Sequence, residues 1–301
     1  MLKAVREHVY NEHCGQNTPQ FTVRPGEIFE AETELCTGGW LVDASSVYSK
    51  ENITGANPAV VVAVEGAVPG GSLLVTLHDI IPDGIGYTGF LHRENPLANT
   101  IIDRDWGDNI RIVHIDGGDI RFSPSLAIPA APMLGVLGTA PAGDKIPNSH
   151  GGRHGGNMDA QEVCAGASVL LPVEVPGALL HLGDAHAIQG DGELCGAGGV
   201  ECRATVRLSV QNVPRPARNG CIRIENSSAL CAVCCEGDID ECCVKAAREL
   251  IYWLADGYGM DEREAYLLLG QVMELRVTQL VNPTRTVIAK IGKSFITGHT
   301  R

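Results

Sequence analysis

From His181 to Glu193 the chain reads His-Leu-Gly-Asp-Ala-His-Ala-Ile-Gln-Gly-Asp-Gly-Glu, directly after the apolar pair Leu179-Leu180. Three carboxylates and two imidazoles therefore follow an apolar, strand-like run, and polar groups entering from such a run are candidates to bind something. Asp184 and His186 stand two apart, and on a strand residues i and i+2 share a face. A carboxylate beside an imidazole is the start of a divalent-metal site, and zinc accepts both donors. The alternative is a buried histidine hydrogen-bonded to an aspartate with no metal. Gln189 to Gly192 reads as a turn that shapes the pocket, and His181 precedes the motif proper.

A second polar cluster is His154-Gly155-Gly156-Asn157-Met158-Asp159. Two glycines permit positive φ and close backbone approach, so His154, Asn157 and Asp159 could converge on one point; a flexible polar loop is the plain alternative. The glycine-rich segment 143–166 around it, with His150 and Arg153, is long for a structureless connection, and such segments usually carry function. Glu193 and Glu201 bracket the small-residue turn Cys195-Gly196-Ala197-Gly198-Gly199. A glutamate beside a metal can act as general base toward water, whereas the structural reading has Glu201 begin the outward face of its strand. Cys195 is the plausible thiol nucleophile, but neighbouring carboxylates disfavour its thiolate, which makes it a packing residue. His78 and Asp79 are expected to end a strand near the same cleft, with Asp79 the better placed. Cys231, Cys234, Cys235, Cys242 and Cys243 form a dense group whose spacing matches no common zinc module. The serine-nucleophile signatures G-x-S-x-G and S-x-x-K are missing, as is a Walker A loop.

These groups need a scaffold, and the pattern around them is mostly strand. Ala59–Val64, Ser72–Ile81, Ile110–Ile115, Ile120–Phe122, Ser168–Val173 and Glu201–Val210 read as strands punctuated by Gly and Pro, which predicts a sandwich or jelly roll. In the last of these Cys202, Ala204, Val206, Leu208 and Val210 face one way. The character changes near the C-terminus. Cys243, Ala246, Ala247, Leu250, Ile251 and Leu254 recur at helical spacing, with Asp240 as the expected cap and Gly257 as the stop. A second helix is expected from Asp261, with Ala265, Leu268, Leu269, Val272 and Leu275 inward, followed by strands Val277–Val281 and Thr286–Ile291. The expectation is a β-rich region over 1–215 carrying the site and a C-terminal α+β subdomain over 216–301 packed on it.

A formal charge of −13 excludes the basic stripe that nucleic acid requires and the polybasic patch that anionic lipid requires. The N-terminal residues lack the apolar core of a signal peptide, and the longest uncharged stretch, 126–142, is broken by prolines and glycines. The 11 cysteines are most simply reduced thiols. Together these point to a cytoplasmic protein acting on a small molecule.

Three blocks carry a resemblance: His154-Gly155-Gly156-Asn157-Met158-Asp159, Leu171-Pro172-Val173-Glu174-Val175-Pro176-Gly177-Ala178, and Gly183-Asp184-Ala185-His186-Ala187-Ile188-Gln189-Gly190-Asp191-Gly192-Glu193. With weaker echoes at Glu65–Gly70 and Glu264–Leu267, the chain resembles the acetamidase/formamidase family over about residues 57–290. The resemblance implies hydrolysis of short aliphatic amides to carboxylate and ammonia. It also implies a mainly β, jelly-roll-like sandwich with a C-terminal α+β part, a divalent metal and a homo-oligomer. On this reading Asp159, Asp184 and His186 are the ligands with His154 as a further candidate, and zinc is the first-choice metal. Glu193 or Glu201 moves the proton, and Asn157 hydrogen-bonds the amide or the oxyanion. Two rivals are a thiol-dependent amidase using Cys195 and a non-catalytic, metal-stabilised β-sandwich binding module.

Overall fold

The computed structural model describes residues 1–90, 97–101, 103–104, 107 and 109–298. Among them a curled, mostly antiparallel sheet and two long helices make a mainly β fold. Ala59–Val64, a run of Val and Ala, is buried at every position. Beside it lies Leu180–Ile188, the strand that carries most of the opening motif. The first half of that strand pairs with Ala59–Val64 (Leu180 opposite Val62), and its second half pairs with Val200–Val213 (His186 opposite Glu201). Its other edge pairs with Met133–Thr139, Met133 lying opposite His186.

Val200–Val213 in turn runs along the 19-residue strand Ser72–Phe90, with Glu201 opposite Tyr87. Directly opposed residues of antiparallel strands share a face. The register therefore lines up His186, Glu201 and Tyr87 in one row across three strands. Cys202, Ala204, Val206, Leu208 and Val210 are buried, as the alternation predicts. Glu201 is not on the outward solvent face: it is 2% exposed, because the sheet continues on both sides of it.

The segment 143–166 contains the short strands Ile146–Pro147, Gly151–Gly152 and Gly155–Asn157, the last pairing with Met133–Thr139. Ser72–Ile81 proves to be the first half of Ser72–Phe90, so His78 and Asp79 sit mid-strand. His78 is exposed and bonds Ser209 Oγ at 2.9 Å, and Asp79 lies opposite Arg207. Neither lines a cleft.

C-terminal strands Ile222–Glu225, Ala229–Cys234 and Thr286–Gly292 stand between two apolar cores. Ile222, Cys231, Val233 and Ile288 enter the larger one. Leu230, Ala232, Val287 and Ala289 meet the helix Ile239–Tyr258 in the smaller one. The helix differs in detail from its sequence pattern. Its cap is Asp238, whose side chain accepts from Glu241 N–H at 2.8 Å, and it ends at Gly259 with φ +66. Asp240 falls inside the first turn, where its backbone is already helical and its carboxylate meets only the macrodipole. The inner face buries Cys242, Ala246, Leu250, Trp253 and Leu254, with Cys243 and Ile251 partly buried against the same core. Asp261 caps the second helix, Glu262–Val272, as expected, accepting from Arg263 and Glu264 N–H. Leu275 lies beyond that helix, in Glu274–Gln279, and is 44% exposed. No helix among the described residues is long and apolar enough to cross a membrane.

Candidate active site

Four carboxyls and one imidazole converge at the second half of the Leu180–Ile188 strand, all at most 7% exposed: Asp159, Asp184, His186, Glu193 and Glu201. His186 Nε2 lies 3.5 Å from both Asp184 Oδ1 and Glu201 Oε1. One donor atom each from Asp159, Asp184 and His186 lies within 4.8 Å of the others, and Cys36, Asp184 and Glu201 form a second such group sharing Asp184. Three of the acids have one oxygen anchored and one without a hydrogen-bond partner. Asn282 Nδ2 donates to Asp159 Oδ2, Asn57 Nδ2 to Asp184 Oδ2 at 3.2 Å, and Gly198 N–H to Glu193 Oε1 at 3.2 Å. Asp159 Oδ1, Asp184 Oδ1, Glu193 Oε2, Glu201 Oε2 and His186 Nε2 are buried and unpartnered. Buried polar atoms are almost always satisfied, so five such atoms from adjoining residues mark this cluster as a candidate binding site.

The backbone bends to make this possible. Asp159, Asp184 and Glu193 have φ of +44, +55 and +49, and Asn57, which holds Asp184, has φ +52. A non-glycine residue in this region costs about 1–3 kcal/mol and persists where the surroundings enforce it. Asp159 and Met158 hang by their N–H groups from Gly135 O, at 3.3 and 2.9 Å. A Cβ on Gly135 would stand 2.5 Å from both Asp159 Oδ1 and Asp184 Oδ2, so the carboxylates occupy the space that a side chain there would fill.

Gln189 sets the imidazole. Its Nε2 donates to Asp159 O at 2.9 Å and Thr278 O at 3.2 Å, which turns Oε1 toward His186 Nδ1 at 2.7 Å. Nδ1 therefore carries the hydrogen, and Nε2 faces the acids. Such a partner fixes the tautomer a metal-binding imidazole needs. Burial, reinforced by Asp184, pushes the Asp159 carboxyl up to about 7. Burial likewise pushes Glu201 up to about 8, against the pull of His186. Glu193 is raised well above the carboxylate range by burial and by Asp159. Burial opposes charge on His186, but Glu201 and Asp184 more than offset it and hold its pKa well above the ordinary value. Without a cation the cluster is held together by protons. Two carboxylates and an imidazole are donors that a divalent ion of zinc type accepts, and a cation there would displace those protons.

Residues 145–226 match the model of the Acetamidase/Formamidase family. An acetamidase structure from Bacillus halodurans superposes over 98% of both chains with TM-score 0.89 and 29% identity. In sequence and in fold the chain is similar to the acetamidase/formamidase family. A putative formamidase of Schizosaccharomyces pombe is 26% identical over 48% of each chain. An acetamidase of Mycolicibacterium smegmatis is 26% identical over 63% of this chain and 62% of its own. The chain thus spans less than two thirds of the length of either relative.

The family-matched segment contains Asp159, Asp184, His186, Glu193 and Glu201, which the fold brings together. It also contains His154 and Asn157, which fall differently. His154 is not in the group formed by Asp159, Asp184 and His186. Its ring packs edge-on against His13 at 4.7 Å, and burial lowers its pKa to about 4. The glycines on either side of the turn let the Gly155–Asn157 strand carry the imidazole away from Asp159. Asn157 ends that strand, buried, with Oδ1 unpartnered. His181 is a satisfied core histidine, its Nδ1–H donating to Leu179 O at 2.8 Å and its Nε2 accepting from Asn17 at 2.9 Å. The Cys195 thiol donates to Gly198 O, and its pKa is raised by burial and by Glu193. Cys36, Asn57, Tyr87 and Asn282 lie outside the family-matched segment and escaped the sequence reading. Tyr87 Oη meets Cys36 Sγ at 3.1 Å and Thr37 Oγ1 at 3.2 Å, and the Trp40 ring lies 5.1 Å from it. Leu35, Trp40, Leu41, Tyr87 and Ala197 form an apolar wall beside the acids.

Proposed function

We propose that the protein is a metal-dependent amidohydrolase converting a short aliphatic amide of the formamide or acetamide type to carboxylate and ammonia. The observation that carries this reading is the convergence of five buried, unpartnered polar atoms within a family of acetamidases and formamidases. Asp159, Asp184 and His186 would hold the cation, zinc being the first choice for a mixed oxygen and nitrogen set. A divalent ion bound there supplies Lewis acidity, polarising an amide carbonyl and acidifying water.

The remaining work falls to side chains. Glu201, with a pKa raised to about 8, carries a proton near neutral pH that it can give to departing ammonia. Glu193 keeps Oε1 on Gly198 N–H; its carboxyl is raised by burial and Asp159, so Oε2 would accept a proton from attacking water only once a bound cation has displaced the Glu193 proton. Asn157 Oδ1 would accept from the amide nitrogen and orient it. The wall of Leu35, Trp40, Tyr87 and Ala197 suits a short apolar acyl group and excludes water from it. We also propose a homo-oligomer, because Tyr266, Leu267 and Leu275 near the second helix are all exposed, and sedimentation gives the state.

The test is ammonia release from a panel of short amides, before and after chelation and readdition of defined metals. Chelation should abolish release and one metal should restore it. Asp184→Asn should lose both metal and turnover; full activity with full metal content in that variant would sink the assignment. A chelator-resistant enzyme killed by Cys195→Ala would favour the thiol route. Bound metal and a raised melting temperature with no ammonia from any amide would leave a binding module.

A further inference from the structure

The thiols around the start of helix Ile239–Tyr258 play no part in the acid cluster. Ile222 lies opposite Val233 in the antiparallel pair Ile222–Glu225 and Ala229–Cys234. One step further along the same register puts Cys221 opposite Cys234. Ile222 and Val233 enter the larger core while Cys221 and Cys234 enter the smaller, so the two thiols share a face. Directly opposed residues stand about 4.5–5.5 Å apart at Cα, within the roughly 4.4–6.8 Å that a disulfide spans. A cavity of about 510 Å³ reaches Cys221 and is lined by Arg153, Arg218, Lys245 and Arg248.

We propose that Cys221 and Cys234 form a reversible cross-strand disulfide on exposure to a hydroperoxide, Cys234 reacting first and Cys221 resolving. The environment separates the roles. The neighbouring Cys221 thiol lowers the Cys234 thiol to about 6, with Lys245 contributing, which favours the thiolate. Burial raises the third nearby thiol, Cys242, to about 12, and its S–H is committed to Glu236 O at 2.9 Å. The Cys234 thiolate attacks the peroxide, forming an S–O bond as the O–O bond breaks; the leaving oxygen takes up a proton and departs as water or alcohol. The Cys221 sulfur then attacks the sulfenic sulfur, the S–S bond forms and water leaves with the Cys221 proton. Both sulfurs are oxidised and the peroxide is reduced.

The experiment treats the metal-loaded protein with hydrogen peroxide at one equivalent and maps its peptides without reduction. Titratable thiols should fall by two of the 11. A peptide pair joining residues 221 and 234 should appear, and dithiothreitol should reverse both changes. Cys242→Ser should leave this pair intact. Cys221→Ser should convert it to a Cys234 sulfenic acid captured by a dimedone probe. A pair joining residues 234 and 242, or thiol loss at other cysteines ahead of this pair, would overturn the proposal. The wild-type peptide map decides it even where a variant does not fold. The outcome is independent of the amidase assay.

Discussion

Gln189 shows how much of the candidate site rests on side chains that bind nothing themselves. It joins the His186 imidazole to the backbone of Asp159 and Thr278. Replacing it with Leu leaves the ligands in place but frees the tautomer. We expect metal affinity or turnover to fall about 10–100-fold, as for other partners of ligating histidines, with the folded chain retained by circular dichroism. Unchanged metal affinity would show that the imidazole is oriented by packing alone. Gly135→Ala is the steric counterpart: a methyl 2.5 Å from two carboxylate oxygens must move one of them. Metal content is expected to drop below detection in a variant that still folds, and stoichiometric metal would refute this account of Gly135. At this scale the sequence was legible where chemistry is contiguous. Asp184, His186 and Glu193 declare themselves by type and spacing. Tyr87 and Asn57 do not, because strand register and a positive φ, neither written in residue type, bring them in. His154 lies outside the group formed by Asp159, Asp184 and His186, because glycines that allow convergence equally allow divergence.

Secondary structure was legible where one periodicity dominates. Ala59–Val64 appears at its expected bounds, and Val200–Val213 buries the face its alternation marks. Where several polar residues compete for one role, the pattern underdetermines the answer. Asp238 and Asp240 both suit the start of helix Ile239–Tyr258, yet Asp238 alone has the extended backbone of a cap, with φ −81 and ψ 173. Asp238→Ala should therefore cost about 1 kcal/mol and Asp240→Ala only a few tenths through the helix dipole, read as the difference in urea midpoint. The reverse order would restore Asp240 as the cap. The segment 143–166 was legible as functional by its length, but its three short strands were not, because pairs of glycines carry no strand signature.

For the molecule as a whole, the acid cluster links stability to pH. A carboxyl whose folded pKa lies above its unfolded value binds its proton more tightly when folded. Its contribution is fully present below the unfolded value and is lost as pH rises through the folded one. Asp159 at about 7 and Glu201 at about 8 thus favour the fold in acid and withdraw that support toward neutral and alkaline pH. His186, also raised, loses its contribution in the same direction. The chelated protein should melt at lower temperature as pH rises from about 5 to about 8.5, and added zinc should raise the melting point most at the alkaline end. Calorimetry across that range checks both; equal melting points for the chelated protein at the two extremes would refute the linkage.

The row formed by His186, Glu201 and Tyr87, together with Asn57 holding Asp184 and Asn282 holding Asp159, also orders events in time. Asp184, His186, Glu193 and Glu201 are close in the chain, but Asn57 is 127 residues from the Asp184 it holds and Asn282 is 123 from Asp159, so no short fragment can display the complete cluster. Long loops must close before their contacts are rewarded. A cation held there, as proposed, would therefore not nucleate the folding of the chain. Its capture would follow sheet closure, which makes loading a late step whose rate reports on strands already in register.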